Sequence, residues 1–188
     1  MKEKLGIPYM GSKRAISKKI VDFIIEQNPN AKYIYDVFGG GCSISFEFVQ
    51  REQIKKVFYN ELNTGIVSLL VDIRDNKVTE KYFNFVDRET FLRHKDDDDW
   101  FGGLCKTCYS FGNNQIRYLF GELIEKDKEL LHNIVVSKDK KLIKEFYNKF
   151  GILFEFNGES LHERRIKTRR IIKNSNSDNP QIKKLIQL

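Results

Sequence analysis

Asp36, the triplet Gly39-Gly40-Gly41 and Glu61 are the residues whose types and spacing point to chemistry. The apolar run Tyr33 to Phe38 meets the glycines, a helix-compatible segment follows, and a second apolar run ends in Asn60 and Glu61. Glycines lack a Cβ, so the backbone can approach a ligand closely. The N–H groups that open the next helix point at the same place. Glu61 stands twenty residues past Gly41. At that separation an acid at the tip of the next strand accepts hydrogen bonds from ribose hydroxyls. The chemistry is the binding of a nucleotide-type cofactor. A tight turn followed by a solvated strand end would use the same residues, so specificity comes from the whole order of strand, bare loop, helix, strand and carboxylate.

Several elements must position these groups. Residues 1–13 read as an extended lead-in with a turn at Gly11-Ser12. Residues 14–27 read as an amphipathic helix, with Ile16, Ile20, Ile24 and Ile25 at helical period and Phe23 widening that face. Asn28-Pro29-Asn30 ends it. Tyr33 to Phe38 reads as a buried strand, Ser43 to Arg51 as a helix, Val57 to Asn60 as a short strand and Asn63 to Arg74 as a helix. Residues 75–99 are polar and aromatic and end in four aspartates, a solvated acidic loop. Trp100 to Gly121 suggests a hairpin or ordered loop. Residues 122–150 and 160–173 are helix-compatible, 151–158 could form a short strand, 175–179 a polar linker and the last eight residues an amphipathic tail.

The 188 residues suffice for one domain, or one domain with a sizeable insertion. No apolar run approaches the ~20 residues of a membrane span, and the N-terminus has no apolar core long enough for a secretory signal. A soluble, cytoplasmic protein without membrane contact is expected. The net charge of +7 favours a polyanionic partner such as nucleic acid. Cys42, Cys105 and Cys108 do not suggest a disulfide framework. The lone Cys105-x-x-Cys108 has no second pair and the histidines no ligand spacing, so no metal is expected.

Tyr9-Met10-Gly11-Ser12-Lys13, then Asp36 to Ser43, then Asn60 to Asn63, resembles the start of the adenine-N6 DNA methyltransferases of the DNA adenine methylase (D12 class) type. The resemblance implies an S-adenosylmethionine site. Tyr9 and Lys13 match an aromatic-x-Gly-x-Lys segment that lines it. Asp36, Phe38, Gly39, Gly41 and Ser43 match its glycine loop. Glu61 matches the acid on the ribose, with Asn63 in the same short motif. Dinucleotide dehydrogenases match less well, because Ile44 stands where their third glycine would fall.

Residues 103–121 resemble the recognition hairpin of that family's target-recognition insertion, on Gly103-Leu104, Ser110 to Asn114 and Leu119-Phe120-Gly121. Asn and Gln can pair bidentately with adenine and Arg with guanine, which makes Asn113, Asn114, Gln115 and Arg117 candidate base readers; any tight turn would also use such residues. Arg164, Arg165, Lys167, Arg169 and Arg170 form the densest basic patch. On a helix, Arg165, Arg169 and Lys173 share a stripe suited to phosphates, with Ile166 turned inward.

The family accepts the flipped adenine with Asp-Pro-Pro-Tyr or a close variant. Here Pro8, Pro29 and Pro180 are never adjacent, and Asp178-Asn179-Pro180-Gln181 lacks the second proline and the aromatic, so no catalytic residue is assigned. The resemblance therefore implies an α/β fold: a partial Rossmann-like methyltransferase sheet with a mostly helical recognition insertion carrying a hairpin. The expected divisions are 1–74 for the cofactor part, 75–174 for the recognition insertion, and 175–188 for a linker and the start of a missing catalytic part. The expected function is site-specific adenine-N6 methylation of double-stranded DNA by a truncated or split enzyme, with a second chain or self-association completing it. A non-catalytic DNA-binding or regulatory derivative, or a module pairing with an intact methyltransferase, remains open on the same residues.

Overall fold

The computed structural model describes residues 5–175 and 180–186. It is helix-rich, with one small parallel sheet. The residues fall into two compact units, one drawn from Met1–Val78 and Glu89–Leu119, the other from Thr79–Arg88 and Phe120–Leu188. The segment 89–119 belongs to the same unit as the glycine loop.

The first unit opens with α1 (Ser17–Gln27), β1 (Tyr33–Asp36), α2 (Ser43–Val49), β2 (Lys56–Tyr59) and α3 (Thr64–Arg74). The strands pair in parallel, with Tyr35 opposite Phe58 and Asp36 opposite Tyr59. Parallel strands need a crossover, and α2 supplies it, packing on both strands and on α1. Arg51 ties α1 to α2 by reaching Asp22 at 2.8 Å and Glu47 at 2.7 Å.

The buried strand expected at 33–38 is corrected. One face, carrying Tyr33, Tyr35 and Phe58, is bare: Tyr35 is 69% exposed and its ring stacks on Phe58 at 4.5 Å. Apolar runs read as buried because parallel sheets are normally covered on both faces; here α2 covers only one. The apolar face of α1 also differs: Val21 is fully buried, whereas Ile16 and Phe23 are exposed. Side-chain period sets which residues share a face but not which face meets a neighbour.

The hairpin expected across Trp100 to Gly121 begins instead as a helix. After α4 (Arg88–His94) comes α5 (Trp100–Cys108), which lies along α3. Gly103 and Gly65 meet backbone to backbone there: a Cβ on Gly103 would stand 2.1 Å from the Gly65 carbonyl oxygen. The hairpin character survives only in 109–119, with an isolated antiparallel bridge between Ser110 and Tyr118. The aspartate run is not merely solvated. Asp99 caps α5 by accepting from Phe101 and Gly102 N–H at 2.9 and 3.0 Å. Asp97 faces His94 Nδ1 at 2.7 Å, and Asp98 accepts from the Thr64 hydroxyl.

In the second unit, α6 (Glu122–Ser137), α7 (Lys140–Phe150), α8 (Leu161–Asn174) and α9 (Pro180–Ile186) surround a core of Ile134, Phe146, Phe150, Ile152, Phe154 and Ile172. The strand expected at 151–158 is absent from the described residues; the segment lays Ile152 and Phe154 into that core without a pairing strand. Ser160 opens α8 in a capping box with Glu163. Residues 176–179 of the expected linker, with Asp178 and Asn179, lie outside the described residues.

Lys128 on α6 is 3% exposed and donates to the Leu185 carbonyl of α9 at 2.8 Å. Burial, helped by the Arg169 charge, lowers its pKa from 10.5 to about 8. The unfolded chain therefore binds more protons than the folded one between those values. This group's penalty is full below pH 8 and is relieved as pH rises toward 10.5. Lys128→Met is expected to stabilise the protein by about 2 kcal/mol near neutral pH, after allowing for the lost hydrogen bond. Urea denaturation at neutral and alkaline pH checks this: the advantage of the variant must shrink at the alkaline end.

Candidate cofactor and nucleic-acid sites

The glycine loop is built by the chain's own close approaches. Gly40 has φ +49°, in the left-handed region that suits glycine. A Cβ on Gly39 would stand 2.1 Å from the Tyr59 ring, and one on Gly41 would stand 2.5 Å from the Ile7 carbonyl oxygen. Ile7 N–H donates to Gly41 O at 2.9 Å, so the lead-in segment runs along the loop. The strand register extends into the loop: Asn60 N–H donates to Asp36 O and Gly39 N–H to Asn60 O, both at 2.9 Å. Cys42 opens α2 in a left-handed conformation, and burial pushes its thiol up to about 11.

Glu61 is the centre of this arrangement. Its Oε2 accepts from Gly40 N–H at 2.9 Å. Its Oε1 accepts from Asn63 N–H at 3.1 Å and from the Tyr9 hydroxyl at 3.3 Å. The Tyr59 hydroxyl donates to Gly40 O at 2.6 Å. Burial, then the nearby acidic groups, raises the Tyr59 pKa well above the usual phenol value. Burial also raises that of Tyr9, against a hydrogen bond from Gln115 that lowers it. Both phenols are thus held protonated, as donors.

The residues expected at this site take different positions. Tyr9, Gly39, Gly41, Glu61 and Asn63 converge. Asp36 stands behind the loop, accepting from the Ser45 hydroxyl at 2.5 Å. Ser43 is buried at the start of α2. Asn63 caps α3, accepting from Ile66 N–H at 3.3 Å. Lys13 is exposed and donates to Gly11 O at 2.7 Å, within its own turn. Phe38 is 93% and Leu62 96% exposed, each just beyond the end of one of the two parallel strands. Tyr59, Ser45 and Leu62 were not singled out from sequence. Tyr59 carried a signal in retrospect, since it alternates with Phe58 onto the face opposite the exposed one.

The residues expected to read bases share the turn after α5 but not one role. The Asn114 side-chain Oδ1 accepts from Ile116 and Arg117 N–H at 2.9 and 3.0 Å, which builds the turn. Gln115 lies at φ +64° and accepts from Asn63 Nδ2 at 3.3 Å, joining the Glu61 cluster. Asn113 also has positive φ, and Arg117 is exposed.

In the second unit, α8 sorts its own basic residues. Arg164 is buried and donates to the Val135 and Glu159 carbonyls at 2.7 and 2.8 Å, closing off the end of α6. Lys167 pairs with Glu159 at 2.5 Å. Arg165, Arg169 and Lys173 remain exposed at four-residue spacing. Ile166, expected to face inward, is 46% exposed; Thr168 and Ile172 take the buried positions. Among the described residues no group of three or more His, Cys, Asp or Glu side chains is placed to hold a metal ion, and no helix is long and apolar enough to cross a membrane.

Comparison with curated proteins and with solved structures yields no match. A family model, that of the D12 class N6 adenine-specific DNA methyltransferases, matches residues 9–106. That stretch runs from Tyr9 through the glycine loop, Glu61 and α3 into α5, so the segments that converge on Glu61 from β1, α2 and β2 all lie inside it. With more than half its length so matched, this chain belongs to the D12 class N6 adenine-specific DNA methyltransferase family.

Proposed function

We propose that the described residues form the cofactor-binding and DNA-contacting part of an S-adenosylmethionine-dependent DNA adenine-N6 methyltransferase, with β1 and β2 belonging to a Rossmann-like sheet. The observation that carries this reading is the Glu61 carboxylate, at the end of β2 and against the Gly40 N–H. A carboxylate offers about four lone-pair sites. Three are used here, so one stays open, and the Tyr9 bond is the longest of the three. The donor set fits an adenosine: Glu61 would accept its ribose hydroxyls, and Phe38 and Leu62 are bare apolar groups available to its ring. When bound, S-adenosylmethionine supplies a sulfonium methyl group. Tyr9, Gly39, Gly41 and Asn63 hold the carboxylate and loop in place, and Asp36 and Ser43 support them from behind.

On the DNA side, Asn113, Gln115 and Arg117 would face bases while Asn114 holds the turn. Arg165 and Arg169 would hold phosphates of double-stranded DNA. Groups that accept the amino hydrogens of a flipped adenine are not among these residues. Such groups would come from outside the described residues, and the bare Tyr33–Tyr35–Phe58 face is an unpartnered surface of the same sheet.

Calorimetry with S-adenosylmethionine and anisotropy with duplex DNA over a salt series test the proposal. Saturable cofactor binding together with salt-dependent DNA binding is expected. The doubly substituted Arg165→Ala/Arg169→Ala protein should bind DNA more weakly, and its log–log salt slope should fall by about 1.8. Absence of both binding activities would end this reading. One observation favours a second reading, a non-catalytic DNA-binding derivative: three protein donors already engage Glu61. Salt-sensitive DNA binding without any cofactor binding would select it.

A further inference from the structure

Gln115 comes from the turn after α5 but is fastened to the glycine-loop site. Its Oε1 accepts from Asn63 Nδ2 at 3.3 Å. Tyr9 and the Asn63 backbone both end on Glu61 Oε1, at 3.3 and 3.1 Å. Asn63 therefore joins Gln115 to Glu61, its side chain on the one and its backbone N–H on the other. Gln115 also sits at φ +64°, a conformation glutamine rarely adopts unless surrounding contacts impose it. The turn is also fastened by buried Tyr109 and Tyr118, the Tyr118 ring lying 5.5 Å from that of Phe91, and by its own backbone. Phe111 N–H donates to Arg117 O and Leu119 N–H to Tyr109 O, both at 2.8 Å. Ile116 and Arg117, the next two residues, are exposed.

We propose that Gln115 is a positioning residue that couples occupancy of the Glu61 site to the conformation of the 109–119 turn. The inference rests on the reading of Glu61 as a ribose acceptor. Oε1 already takes the Tyr9 hydroxyl and the Asn63 N–H, so of two ribose hydroxyls one can use the open position on Oε2 and the other competes at Oε1. A donor displaced at Oε1 shifts Asn63, whose side chain holds the Gln115 amide, and the turn then has fewer contacts holding its left-handed residue. An amide released in this way can pair with an adenine edge. Linkage is reciprocal, so DNA that engages Gln115 shifts cofactor affinity by the same factor.

The test compares wild type, Gln115→Ala and Gln115→Gly by hydrogen exchange of the Phe111 and Leu119 amides. Each protein is measured with and without S-adenosylhomocysteine, at a concentration that calorimetry shows to be saturating. In wild type the cofactor product should speed exchange about tenfold. Both variants should already exchange at the faster rate and change less than about twofold on addition. The glycine variant relieves left-handed strain and the alanine variant does not, so an effect of strain alone would separate them, whereas loss of the amide makes them alike. Duplex affinity, read by anisotropy on a mixed-sequence duplex, should shift about fivefold with S-adenosylhomocysteine in wild type only. Wild type that binds S-adenosylhomocysteine with no change in exchange, or a Gln115→Ala protein that still responds, overturns the coupling and leaves the proposed function intact. Wild type that fails to bind S-adenosylhomocysteine removes the reading of Glu61, and the coupling with it.

Discussion

Gly103→Ala is expected to destabilise the first unit by about 3 kcal/mol, near the upper end for overpacking. Helix propensity alone gives the opposite sign, since alanine inside a helix is favoured over glycine by about 1 kcal/mol. Packing decides the outcome. A Cβ at Gly103 would stand 2.1 Å from the Gly65 carbonyl oxygen, 2.6 Å from the Gly65 carbonyl carbon and 3.0 Å from the Leu69 Cβ. Two of those atoms are backbone of α3, so no rotamer change relieves the clash; α3 and α5 must move apart. Gly121→Ala is the control, because a Cβ there meets nothing within 4 Å and the residue has φ −72°. That change should stay within about 0.5 kcal/mol of wild type. Urea denaturation of both proteins reads the difference. A Gly103→Ala protein as stable as wild type would mean that the two helices do not meet through their glycines.

The second large effect concerns Glu61. Glu61→Ala should lower affinity for S-adenosylmethionine at least about 100-fold, the equivalent of roughly 3 kcal/mol from lost charge-assisted hydrogen bonds. The same change leaves the Gly40 N–H, the Asn63 N–H and the Tyr9 hydroxyl without their acceptor. A loss of folding stability of about 2 kcal/mol should accompany it. Glu61→Gln separates the two effects. One amide oxygen can still accept part of the donor set, so stability should recover more than cofactor binding does. Calorimetry and denaturation on the three proteins make the comparison. If Glu61→Ala binds the cofactor as wild type does, the carboxylate is purely a brace for the loop.

The glycine loop was legible because its signal is local. A strand, three glycines, a helix start and an acid follow one another within 33–61, and each carries a backbone requirement that sequence expresses directly. The helices at 17–27, 64–74 and 161–174 were legible for a similar reason, periodicity with a capping or breaking residue at an end. Gly102 and Gly103 were not. In WFGGLCKTC the glycines read as turn residues, and only the neighbouring α3 backbone explains why a helix carries them. Arg164 was likewise indistinguishable from Arg165 until α6 placed carbonyls beside the first and the second stayed exposed.

By itself, the sequence determined the order of elements around Glu61 and the family to which that order belongs, because turn chemistry, capping and helical period act between near neighbours in the chain. Tertiary structure alone decided which groups share the site. Tyr9 and Gln115 lie fifty-two residues either side of Glu61 and Asn63 respectively, and neither hydrogen bond leaves a trace in local pattern. It also decided that the Tyr33–Tyr35–Phe58 face is bare, since exposure depends on what packs against a strand, and a strand's own residues specify only which of them share a face.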